Sequence, residues 1–111
     1  MRKKIVAGNW KMNKTADEAT ALVSEVIDKV NADVTGDVTV VLCPPAVYLT
    51  TARQAIPSGG SISLGAQNCH EKASGAYTGE ISAPMLQSIG VEYVILGHSE
   101  RREYFGETNA Q

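Results

Sequence analysis

Long apolar runs are missing from this chain. No window of its 111 residues approaches a membrane span, so no transmembrane helix and no membrane partner are expected. Cysteine is scarce: the only two, Cys43 and Cys69, do not suggest a disulfide framework. They read as buried or half-buried thiols of a reducing compartment. Cys69 and His70 are adjacent, but no second ligand pair stands at zinc spacing, and no metal site is expected. An excess of charge of one sign is also absent. Ten basic residues against twelve acidic ones give a formal net charge of −2, which argues against a nucleic-acid partner. The basic pairs Lys3–Lys4 and Arg101–Arg102 are isolated. The opening is basic, yet its apolar stretch is too short for a signal-peptide core, so a cytoplasmic setting is expected. The glycosylation sequon Asn13-Lys14-Thr15 is then read as chance. With no low-complexity segment and no linker, residues 1–111 are expected to form one domain.

What is there alternates between strand and helix patterns. Lys3–Met12 reads as a strand running into a loop, with Ile5, Ala7, Asn9 and Lys11 on one face. Thr15 and Glu18 stand at capping-box spacing before a helix. Its apolar positions Leu22, Val23, Val26, Ile27 and Val30 recur at helical intervals. Val38–Cys43 is a nearly continuous β-branched run, which suits a strand buried on both faces of a parallel sheet. Pro44 and Pro45 end it, and a helix follows around Val47–Ile56. Ser61–Asn68 reads as a third strand. Ser82, with Pro84 in the next turn, opens a short helix to Ile89 that Gly90 ends. Val91–Gly97 is a fourth strand, and a short helix spans Ser99 to about Phe105. This βαβαβαβ order predicts an α/β fold with a parallel sheet and right-handed crossovers.

In parallel α/β folds, functional side chains gather at the carboxyl ends of strands. The polar residues there are Asn9 and Lys11, then Gln67 and Asn68, then His98, Ser99 and Glu100. Two roles fit Lys11: a snorkelling cation at a strand end, or a fixed charge that holds an anionic substrate or a developing oxyanion. His98 fits either a hydrogen-bonded structural histidine or a proton donor to a carbonyl, with a helix N-terminus favouring the neutral ring. Glu100 fits a base, but an ion-pair partner for Lys11 or an arginine is preferred. An acid flanked by Arg101 and Arg102 stays ionised.

Five stretches resemble the triosephosphate isomerase family in order and spacing: Ala7–Asn13 (AGNWKMN), Cys43–Pro45 (CPP), Gly65–Asn68 (GAQN), Gly75–Ser82 (GAYTGEIS) and Val94–Arg102 (VILGHSERR). The resemblance runs over essentially the whole chain. It implies a (β/α)8 barrel, of which residues 1–111 hold the first four strands, ending before the helix due after strand four. It implies interconversion of dihydroxyacetone phosphate and glyceraldehyde 3-phosphate through an enediol, with no cofactor and no metal. Asn9 and Lys11 would contact substrate, Lys11 supplying positive charge. His98 would polarise the carbonyl and shuttle a proton between the two oxygens, supported by Ser99 and by Glu100 as partner of Lys11. Gly75–Glu80 resembles the loop that family members insert into a neighbouring subunit, bringing Thr78 near the partner's site. Glu80, Gln67 and Arg101 are then expected at that interface.

The same resemblance implies that the catalytic glutamate base, a mobile lid and the phosphate loops belong to later strands. Barrels of this type typically run to about 250 residues. The chain alone is therefore expected to be inactive, with Glu80, Glu103 and Glu107 as carboxylates that no motif places as base. Half a barrel has open edges at its first and fourth strands, and open edges invite pairing. The inward face, which alternation assigns to Ala7, Val94 and Leu96, lacks its opposite wall. The expected partners are a complementary carboxyl-terminal half or further copies of this chain, the latter a homo-oligomeric assembly without catalysis.

Overall fold

Thr15 starts the longest helix. The Glu18 carboxylate accepts from the Thr15 backbone N–H at 3.0 Å and from its hydroxyl at 2.9 Å, which satisfies donors that a bare helix start would leave open. A computed structural model describes residues 4–34 and 36–111. In it, helix α1 spans Ala16–Asp33 and buries Ala19, Val23 and Val30 along one stripe. The strand before it, β1, spans Lys4–Asn9. The expected strand start at Lys3 lies outside the described residues.

Strand β2 covers Val38–Cys43, and β3 covers Ile62–Ala66 with every residue buried. A 3-10 turn, Ala46–Tyr48, leads into helix α2, Leu49–Ala55. The single helix expected over Val47–Ile56 is thus tightened at its start, one residue beyond Pro45. Helix α3, Ala83–Ser88, begins where the Ser82 hydroxyl accepts from the Met85 N–H at 3.4 Å. Strand β4 is Tyr93–Val94, and helix α4 is Ser99–Phe105.

The strands are parallel and stand in chain order, β1-β2-β3-β4, making the curled four-strand half of a (β/α)8 barrel with alternating helices. Val41 pairs with Ala7 and Ser63, so Ala7, Val41, Cys43 and Gly65 share the concave face. Packing is tight there: a Cβ on Gly65 would stand 2.7 Å from Cys43 Sγ and 2.9 Å from Val41 Cγ1. The convex face carries Leu42, Leu64 and Ala66, which meet Val23 and Val30 of α1, Leu49 and Ala52 of α2, and Leu86 of α3 in one core.

Two expectations change at β4. It is shorter than Val91–Gly97: only Tyr93 and Val94 pair with β3. Backbone bonds from Glu92 N–H to the Leu64 carbonyl and from Ile95 N–H to the Ala66 carbonyl, both 2.9 Å, extend the ladder slightly. Gly97, at φ 58°, then turns the chain away. Its register also sets Val94 beside Ala66, on the helix-facing side. Val94 therefore does not point inward. Alternation gives the period of a strand but not its phase, and a one-residue slip exchanges the faces. Leu96, two residues on, is 67% exposed; Ile5 and Val6 on β1 are 46% and 60% exposed. Among the described residues, no helix is long and apolar enough to cross a membrane.

Candidate active site

Asn9 ends β1, and its side-chain oxygen accepts from the Lys11 backbone N–H at 2.9 Å. Lys11 has φ 58°, in the left-handed region that a residue with a Cβ seldom occupies. Such backbone persists only where its surroundings over-determine it. Here two further strand ends take part. Beyond β3, Gln67 Nε2 donates to the Lys11 carbonyl at 2.8 Å and to the Cys43 carbonyl at 2.9 Å. From α4, Glu100 Oε1 accepts from Lys11 Nζ at 2.6 Å.

That last bond governs the local electrostatics. The hydrogen bond from Lys11 holds the Glu100 carboxyl below the usual carboxylate range, against the opposing effect of its desolvation. The same bond, with the attraction of the Glu100 charge, raises the pKa of the Lys11 ammonium. The two side chains are 52% and 39% exposed, so the pair fixes geometry more than it stabilises the fold.

His98 caps α4. Its Nδ1 accepts from the Glu100 backbone N–H at 3.1 Å. A nitrogen that accepts carries no proton, so in this arrangement the ring is neutral and Nε2 holds the hydrogen. Glu100 Oε2 stands 3.8 Å from the same Nδ1, beyond hydrogen-bond reach.

Asn9, Lys11, Gln67, His98, Glu100 and Arg101 line one cleft of about 540 Å³ at the carboxyl ends of the strands. Arg101 Nε donates to Glu107 Oε2 at 2.8 Å, and its guanidinium lies 4.8 Å from the centre of the Phe105 ring. Ser99 is exposed at the first position of α4 and is not part of the cleft wall. Thr78 is exposed in the loop before α3, while the next residues, Gly79 and Glu80, do reach the cleft.

Sequence reasoning passed over one part of this wall and one support outside it. Tyr104 and Phe105 close one side of the cleft, although the helix that carries them was legible. His70 anchors the loop: its backbone N–H donates to the Ile81 carbonyl at 2.8 Å, its Nδ1 lies 3.2 Å from Glu80 Oε1, and the Tyr77 ring sits 4.4 Å from its own. The signal available was the length of the polar stretch between His70 and Ile81, which needs a clasp at its base.

The cleft thus holds a fixed ammonium, a carboxamide and a neutral imidazole. That set can bind a small anionic, oxygen-bearing molecule and move a proton to and from its oxygens. Its two carboxylates, Glu100 and Glu80, are engaged by Lys11 and His70.

The model of the family described as triosephosphate isomerase matches residues 4–111. Curated relatives with that name include a Cytophaga hutchinsonii protein, 57% identical over 100% of this chain and 43% of its own length. One from Alkaliphilus oremlandii is 56% identical over 98% of this chain and 42% of its own. One from Carboxydothermus hydrogenoformans is 57% identical over the same shares. The chain therefore spans about two fifths of the length of these relatives.

Proposed function

Because the chain belongs to the triosephosphate isomerase family, we propose that its cleft is the electrophilic part of an isomerase site that interconverts dihydroxyacetone phosphate and glyceraldehyde 3-phosphate. The observation that carries this reading is the joint placement in one cleft of Lys11 and of His98, whose Nδ1 accepts from the Glu100 N–H. Lys11 offsets the negative charge of the phosphate and of the enediolate. Asn9 lines the cleft beside it and orders its backbone. His98 donates from Nε2 to one substrate oxygen, then takes the proton from the other. The reaction returns every proton it takes and needs no cofactor. It would serve glycolysis and gluconeogenesis in the cytoplasm.

The carbon-bound proton needs a base. Glu100 is tied to Lys11 and Glu80 to His70, so neither is free to act as one. We assign the base to a complementary segment with the rest of the family's length, which also closes the open edges of β1 and β4. Mixing this chain with that carboxyl-terminal segment from a relative should give turnover. His98→Gln should then lower kcat by about 100- to 10,000-fold. A complex with no turnover, or turnover indifferent to His98→Gln, would sink the assignment.

A second reading has support in the apolar exposure at both sheet edges, at Ile5, Val6 and Leu96. Copies of the chain would pair through those edges into an assembly without catalysis, with Thr78, Gln67, Glu80 and Arg101 near the contacts. Its mark is a stable homo-oligomer that neither turns over triose phosphate nor binds the complementary segment.

A further inference from the structure

We propose that Gln67 is a positioning residue: its carboxamide NH2 keeps Lys11 in its left-handed turn and so fixes where the ammonium stands in the cleft. The inference rests on the isomerase reading, since it matters only if the charge of Lys11 is used. Three contacts hold Lys11, and they are not equivalent. Asn9 Oδ1 belongs to the same turn, two residues away, and travels with it. Glu100 holds the ammonium at the end of a flexible stem, which reaches its partner from more than one backbone conformation. Gln67 alone among these three fastens the Lys11 backbone to another strand end.

The second prong of Gln67 shows how it is anchored. The Cys43 carbonyl, at the end of the buried part of β2, accepts from Gln67 Nε2 and also from the Trp10 N–H at 3.1 Å. Trp10 is thereby fixed, its own carbonyl accepts from Asn13 Nδ2 at 2.8 Å, and the chain turns at Lys11. Aiming the Lys11 carbonyl at Gln67 selects the left-handed sense. Both hydrogens of the amide are spent inside the protein, which leaves only its oxygen for the interface role that the family resemblance implies.

The test uses the full-length protein that carries these residues. Gln67→Met keeps length and removes both donors. Gln67→Glu keeps shape and removes them while ionised. Lys11 φ is followed through its 13C shifts and HN–Hα coupling, and kcat and KM are measured with triose phosphate. In Gln67→Met, Lys11 should leave the left-handed region and kcat should fall on the order of 100-fold. In Gln67→Glu, activity should partly return as pH falls and the protonated acid donates again, a profile the parent protein lacks. A folded Gln67→Met in which Lys11 keeps its shifts, or moves with kcat intact, overturns the proposal. If Gln67→Met does not fold, Gln67→Glu decides by the same two readouts. If the parent protein shows no turnover, the isomerase reading fails, and the Lys11 conformation still decides whether Gln67 positions it.

Discussion

Lys11 carries more of this site than its single charge suggests, because its backbone and its ammonium are held by different parts of the chain. The pair with Glu100 makes its pH behaviour definite. The folded Glu100 pKa is depressed, so the stability it contributes is present above the ordinary carboxylate pKa and is lost as pH falls through the depressed one. The folded Lys11 pKa is raised, so its share is present below the ordinary ammonium pKa and lost as pH rises through the raised one. The pair is intact between those limits. Lys11→Met should return the Glu100 titration midpoint, followed by carboxyl 13C NMR, towards the ordinary value; an unmoved midpoint would assign the depression to another cause. At this scale the sequence was informative about which residues gather. Parallel strands bring their carboxyl ends to one edge, so Asn9, Lys11, Gln67, His98 and Glu100 could be grouped from strand ends alone. The target of a side-chain hydrogen bond has no such period. The two acceptors of Gln67 and the clasp of His70 on Glu80 were therefore not legible.

Among the elements, α1 was legible from both its stripe and its start. Thr15 and Glu18 stand at the spacing that lets one carboxylate serve the first turn. Thr15→Ala should destabilise the fold by about 1 kcal/mol in urea denaturation, with the denaturant dependence unchanged. The backbone bond from Thr15 holds the Glu18 pKa below its usual range, so this support weakens as pH falls through that depressed value. A variant with the parent's midpoint would show that the helix start is held by packing instead. The central strands were legible because runs such as Val38–Cys43 suit burial on both faces. β4 was misjudged in length and in facing for one reason: its backbone bonds advance three residues, from Glu92 to Ile95, while β3 advances two, from Leu64 to Ala66. That extra residue cuts the regular pairing short and shifts the phase of the alternation, which no hydrophobic pattern discloses.

For the molecule as a whole, the four-strand order was legible because βα alternation and handed crossovers leave few topologies. What adjoins its edges was not, since an open edge accepts any strand of suitable length. The exposure of Ile5, Val6 and Leu96 leads us to expect association. Light scattering of the isolated chain should give a mass above that of one 11.8 kDa copy; a stable monomer at micromolar concentration would count against it.

The coincidence of spatial order with chain order has a consequence for synthesis on the ribosome. Each strand of β1-β2-β3-β4 emerges when its template is already present, so the sheet grows by addition at one growing edge and never by insertion. Lys11 is translated early and the partners of its carbonyl and ammonium, Gln67 and Glu100, come later. The nascent lysine therefore has only its local bond to Asn9 until those partners emerge, and its final geometry follows the growth of the sheet.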